Sequence, residues 1–262
     1  MTTSLFLILL LSLSTAVFAR AYLRERVRRK PGGFFRSWPI KQLPLEQFDP
    51  VFKTNEFGTT LATEVHFLSS GWRGTPGGTS DLEAWVLAVL AKEATNLFEF
   101  GTCTGRTTYL WARNSPPEAR VYTLTLTPDH VDSYRAGAND VQVAHRNARN
   151  ESRFSRFLYT GTPEAAKVIQ LYGDSKSFDE TPYAGAMDLV FVDGSHAASY
   201  VESDTRKALR MLKPGGAVIW HDYRGPRLTR GVFDTLNALA RELPLVHLQG
   251  TSLVAYRKSH VE

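Results

Sequence analysis

Only one cysteine, Cys103, occurs in the 262 residues. A lone thiol excludes an intramolecular disulfide and fits a reducing compartment. No internal repeat and no low-complexity tract is present. The body of the chain also lacks a surplus of positive charge, although the net charge is +5. Of 31 basic and 26 acidic residues, six and one fall between Arg20 and Lys30, which leaves 25 of each elsewhere. A nucleic-acid partner therefore has no compositional support. The G-x-G-x-x-G fingerprint is missing after the first buried strand, which disfavours a dinucleotide-dependent oxidoreductase. What the chain does have is apolar material, 43% hydrophobic with 11% aromatic, enough for one sizeable core.

Charge is absent altogether from Met1–Ala19, which contains the run LFLILLLSLSTAVFA. As a helix it would reach about 28 Å at roughly 1.5 Å per residue, close to the thickness of a bilayer core. Six basic residues follow at once (Arg20, Arg24, Arg26, Arg28, Arg29 and Lys30). The positive-inside rule then predicts a single-pass membrane anchor over residues 1–20, with everything downstream cytoplasmic. The rival is a cleaved signal peptide ending at Val17-Phe18-Ala19. The expected organisation is an anchor (1–20), a basic juxtamembrane segment and linker (21–69), and a catalytic domain (70–262). Pro31–Gln47 reads as linker and Asp49–Ser70 as a short helix or hairpin. Ser69–Ser80 is a glycine-rich loop carrying Trp72 and Arg73, which fit a lid or a substrate clamp.

Ser80 and Glu83 have the spacing of a capping box and predict a helix through about Ala91. Apolar runs predict strands over Asn96–Phe100, Val121–Leu126, Lys167–Tyr172, Asp188–Val192, Ala217–Trp220, Leu245–Leu248 and Leu253–Tyr256. Helices are expected over Arg106–Arg113, near Pro163–Lys167, over Tyr200–Leu212 and over Arg230–Leu243. Asp129–Arg156 reads as a helix plus an excursion over the active face. Such alternation predicts an α/β fold, a Rossmann-like doubly wound and mostly parallel seven-stranded sheet, with ligands at the strands' C-terminal ends. The residues at those ends are rich in chemistry. They are Glu99 with Gly101 and Gly105, then Gly173-Asp174-Ser175, then Asp193-Gly194-Ser195-His196, and finally His221-Asp222-Tyr223.

The four segments LFEFGTCTGRTT, LYGDS, MDLVFVDGSH and LKPGGAVIWHDY together resemble the class I S-adenosylmethionine-dependent methyltransferases. The likeness is greatest to the small bacterial branch whose fourth strand ends in a V-D-G-S-H-like motif, and it covers roughly Ser80–Tyr256. The resemblance implies that Gly101, Thr102 and Gly105 wrap the methionine part of the cofactor while Glu99 anchors its amino group. It implies that Asp174 and Ser175 face the adenine edge and that Asp193 lies between cofactor and acceptor. Thr125 stands where the family usually carries a ribose-binding acid, with Asp129 as a substitute four residues on. That departure leaves room for a binding or scaffold protein of the same fold. Asp193, His196 and His221 are the implied catalytic residues. Likeness to metal-dependent O-methyltransferases implies Asp193, His221 and Asp222 as ligands of a divalent metal, Mg²⁺ or Mn²⁺, the alternative being metal-free with His196 or His221 as base. The implied reaction is O-methylation of a small-molecule or membrane-associated acceptor. Arg106 is expected to face an acid or cap its helix, Cys103 to be a small filler, and nothing in the sequence speaks to oligomeric state.

Overall fold

A computed structural model describes residues 11–23, 38–71, 78–138, 140 and 142–260. The chain divides into two compact units, Met1–Pro39 and Ile40–Glu262. In the first, residues 11–23 form a helix, α1. Among the described residues no helix is long and apolar enough to cross a membrane. The expected anchor over residues 1–20 therefore has no support from the structure, and its first ten positions lie outside the described residues. So do most of the basic cluster and the loop residues Trp72 and Arg73.

The second unit begins some thirty residues earlier than expected, because residues 40–69 belong to it. Ile40 and Phe52 are both buried. A short strand β1 (Gln42–Leu43), a helical turn α2 (Leu45–Phe48) and a hairpin of β2 (Thr54–Asn55) and β3 (Gly58–Thr59) come first. The alternating body follows as α3 (Asp81–Leu90), β4 (Asn96–Phe100), α4 (Arg106–Asn114), β5 (Arg120–Thr125) and α5 (Gln142–Glu151). It continues through β6 (Val168–Tyr172), β7 (Met187–Val192), α6 (Ala198–Met211), β8 (Leu212–Trp220), α7 (Arg230–Leu239), β9 (Val246–Leu248) and β10 (Val254–Arg257).

Among the described residues the main sheet has eight strands in the order β1-β9-β10-β8-β7-β4-β5-β6. All seven expected strands are present, within a residue or two except at the start of β8. The eighth is β1, which pairs in parallel with β9 through Gln42↔His247 and Leu43↔Leu248. Two polar-flanked residues carry no periodicity, so only the waiting edge of β9 makes them a strand. The body is parallel from β6 to β8, and β10 runs antiparallel against β8 and β9. Strand β8 starts at Leu212, so the Lys213-Pro214-Gly215-Gly216 turn is drawn into its irregular first half, opposite a register shift in β7. Residues 163–167 form a 3₁₀ turn, and Asp129–Arg156 resolves into a 3₁₀ segment (Pro128–Ser133) followed by α5.

Both faces of the sheet are covered, which is why its strands read as continuous apolar runs. One face packs Leu97, Val121, Leu189, Phe191 and Ile219 against Val86, Leu87 and Trp111. The other carries an aromatic group of Phe98, Phe100, Tyr122, Phe178 and Tyr183. Helix α3 starts on the expected capping box, with Ser80 accepting from the Glu83 amide and Glu83 accepting from that of Ser80 at 2.8 Å. Strand β4 is the point where chain order reverses, β5 lying on one side and β7 on the other. A crevice at the C-terminal ends of β4 and β7 follows from that topology.

Candidate active site

The turn after β4 is shaped by close backbone approach. Gly101 has φ +103°, and a Cβ there would stand 2.2 Å from the Asp193 carbonyl oxygen. Only glycine lets the β4 and β7 ends come together so tightly. Gly105 faces away from the crevice, since a Cβ on it would meet the Tyr159 ring at 2.8 Å. Strand parity decides the position of Glu99. It shares a face with Leu97 and lies opposite Thr123 in register, so its carboxylate is directed beneath α4. There it accepts hydrogen bonds from Thr108 and, at 2.8 Å, from Thr123. Burial, opposed by those two hydroxyls, pushes its carboxyl up to about 8. Thr102 joins the same buried network through a 2.7 Å contact with Thr123.

Two clefts open at the strand ends. The first is lined by residues that include Gly101, Thr125, Asp174, Ser175, Asp193, Gly194 and Asp204. Its roof includes Tyr134, stacked on Tyr200 with ring centroids 4.4 Å apart and bonded to Ser195 at 2.7 Å. The oxygens of Asp174 are already engaged, one by the Lys176 amide and the other by the Tyr200 hydroxyl, both at 3.0 Å. The second cleft, about 680 Å³, is lined by Gly78, Cys103, Glu151, Asp193, His196, His221, Asp222 and Arg224. Cys103, Glu151 and Asp193 belong to both, so they stand where the clefts meet.

The second cleft is built on carboxylate–imidazole pairs. His221 is buried, with Nδ1 2.7 Å from Asp193 and 3.6 Å from Asp222, and Nε2 3.4 Å from Glu83. Burial opposes its charge, but the Asp193, Asp222 and Glu83 carboxylates outweigh burial and hold the ring well above its ordinary range. His196 Nε2 meets Asp222 at 2.7 Å. Burial is again overcome, here by the bond and charge of Asp222, and the ring is raised. Asp222 itself adopts φ +61°, a strained conformation for a non-glycine residue. Arg224 at 3.1 Å and the Thr229 hydroxyl on its carbonyl keep it there. Helix α7 supports His196 from behind, because Gly231 passes so near that a Cβ would lie 2.2 Å from the His196 carbonyl oxygen.

Of the sequence-predicted residues, the structure brings Gly101, Thr125, Asp174, Ser175 and Asp193 to the first cleft. It brings Asp193, His196, His221 and Asp222 to the second. Glu99, Thr102 and Gly105 line neither, and Asp129 is exposed away from both. Arg106 does face an acid, Asp81 at 2.9 Å, and also bonds the Leu68 and Thr79 carbonyls. Cys103 is a poor nucleophile, since burial and then the Glu151 and Asp193 charges push its thiol up to about 12. Sequence reasoning missed Glu151, Asp204 and Tyr134, which lie in helical or polar stretches without local punctuation. It read Glu83 as a cap only, whereas that carboxylate also bonds His221 and Ser252.

Residues 98–223 match the profile of a family described as a methyltransferase domain. The match spans a little under half of the chain, and a methyltransferase domain is what that part of it is similar to. No curated protein matches it in sequence. Among solved structures it is similar to the O-methyltransferase TomG of Streptomyces achromogenes, at 20% identity over 70% of this chain and 82% of that one, with a TM-score of 0.46. The methyltransferase PaMTH1 of Podospora anserina aligns at 16% identity over 70% and 80% of the two chains, with a TM-score of 0.49. An O-methyltransferase of Bacillus cereus aligns at 20% identity over 70% and 84%, with a TM-score of 0.45.

Proposed function

We propose that the chain transfers a methyl group to an oxygen of a small-molecule or membrane-associated acceptor held in the second cleft. The observation that carries this is the junction of the two clefts at Asp193, with the His196–Asp222 pair on the acceptor side. The first cleft fits S-adenosylmethionine, offering a glycine floor whose Cβ is excluded and carboxylates at the far end. When bound, that cofactor supplies an electrophilic sulfonium methyl. The chain's own tasks are then to align the acceptor and to take its proton. Asp222 orients His196 through Nε2, which leaves Nδ1 to receive the acceptor proton. His221 is a positioning residue, because both its nitrogens face carboxylates.

The test is calorimetric and kinetic. S-adenosylmethionine should raise the melting temperature of the purified protein, and NAD should not. Absence of a shift at millimolar cofactor would sink the reading. His196→Ala should keep cofactor binding and lower turnover by about 10²- to 10⁴-fold, the usual worth of a general base.

A metal-assisted reading is favoured by one observation. Donor atoms of Asp193, His221 and Asp222 all lie within 4.8 Å of one another. Those three residues would hold a divalent cation, Mn²⁺ suiting the mixed oxygen–imidazole set better than Mg²⁺. Its chemistry would be polarisation of the acceptor hydroxyl. Activity lost to a chelator and restored by Mn²⁺ supports it, and activity indifferent to chelation removes it. We also place the catalytic unit on the cytoplasmic side of a membrane, on the uncharged Met1–Ala19 run and the basic cluster after it. Release of the full chain from membranes by alkaline carbonate would refute that placement.

A further inference from the structure

Glu151 is a carboxylate to which the proton transfer to His196 gives no task. It is the last residue of α5 and lines both clefts, together with Cys103 and Asp193. The other acids around the second cleft are matched by cations. Glu83 and Asp193 face His221 at 3.4 and 2.7 Å, and Asp222 meets His196 at 2.7 Å and Arg224 at 3.1 Å. Glu151 has no such match, because among the described residues no hydrogen bond or ion pair reaches its carboxylate. Nor are its oxygens sealed from solvent, since the residue is only part-buried at the cleft wall. The C-terminal end of a helix dipole disfavours an acid there further. Burial, opposed by His196 and reinforced by the Asp193 and Asp222 charges, pushes its carboxyl up to about 7. A desolvated carboxylate without a partner gains most from a cation brought to it.

Its place narrows what that cation is. On the S-adenosylmethionine reading, on which this inference rests, the methyl passes from the first cleft to the second. The atom that carries the methyl then stands where the clefts meet, and that atom is a sulfonium, a permanent cation. Glu151 reaches the same place from α5. After burial, its charge is the largest influence raising the Cys103 thiol in the turn after β4. We propose that Glu151 is the counter-ion of the sulfonium, so that the chain selects a charged methyl donor over its neutral product. Transfer removes the attraction. The methyl bonds to the acceptor oxygen, the electrons of the broken C–S bond stay on sulfur, and the acceptor proton goes to His196. The thioether left behind is neutral, and Glu151 no longer holds it. A carboxylate at the end of α5 thereby favours exchange of spent donor for fresh.

The test compares two ligands by titration calorimetry on the full chain, without acceptor. One is S-adenosylmethionine and the other is S-adenosylhomocysteine, which differ at the sulfur by one methyl and one positive charge. The wild-type protein should prefer the charged ligand by about tenfold, the worth of a modestly screened charge pair. In Glu151→Gln, which keeps the shape and removes the charge, the ratio should fall to within about threefold. The loss should fall on S-adenosylmethionine, since a neutral thioether does not feel the missing charge. Failure of the wild-type protein to bind either ligand overturns the methyl-donor reading and this proposal with it. Equal binding of the two by the wild type overturns the Glu151 assignment alone, and needs no variant to fold. An unchanged ratio in a folded Glu151→Gln protein, judged by its ligand-free melting, does the same. So does an equal weakening of both ligands, which would mark Glu151 as part of the packing only.

Discussion

Buried at the end of β4 and bonded by Thr108 and Thr123, Glu99 keeps its proton up to about pH 8. In an unfolded chain the same carboxyl releases it near the ordinary glutamate value of 4.5. Between those values the folded state binds the extra proton, so stability falls as pH rises through the window. Glu99→Gln should remove that dependence. The variant should gain on the wild type in denaturant midpoint from pH 5 to pH 8, and a parallel pair of curves would refute the assignment. Gly101→Ala belongs to the same scale. With φ +103° and a carbonyl oxygen 2.2 Å from the new Cβ, it should cost at least about 3 kcal/mol, measured by urea unfolding.

At the scale of elements, Glu83 ties three of them to the site. It closes the capping box of α3, accepts from the Ser252 amide and hydroxyl at 2.6 and 2.7 Å, and faces His221. Burial opposes its charge, but the His221 and Ser252 contacts together hold its carboxyl well below the usual range. A depressed acid contributes stability above its unfolded value and gives it up as pH falls. Glu83→Ala should therefore cost about 3–5 kcal/mol near neutrality, the loss expected for breaking a buried pair, and progressively less below about pH 4.5. A uniform loss across that range would show that packing alone is at stake. The capping spacing was legible from Ser80 and Glu83. The second use of the same carboxylate was not, because His221 and Ser252 lie 138 and 169 residues further along the chain.

For the whole molecule, the compact unit from Ile40 onward includes segments that read as linker. Phe52 is buried in the main core, β1 extends the sheet, and Arg257 pairs with Asp49 at 2.7 Å. A fragment of residues 40–262 should melt cooperatively near the temperature of the full chain. A fragment of residues 70–262 should melt well below it, losing the β9 partner and the Leu68 carbonyl that Arg106 holds. Equal melting of the two would show that residues 40–69 are peripheral.

By itself the sequence determined the seven strands, their helical partners and the set of strand-end residues. Local periodicity and turn chemistry carry that information, and the main segments around Gly101, Asp174, Asp193 and His221 each carried it independently. Tertiary structure alone decided which of those residues reach a cleft. Pleat parity sends Glu99 under α4 while Asp193 stays at the rim, and partners occupy Asp174 while Glu151, among the described residues, has none. Glu151, Asp204 and Tyr134 became visible only when α5, α6 and the 3₁₀ segment were folded over the sheet. Such distances between residues remote in sequence are set by packing, and no local pattern encodes them.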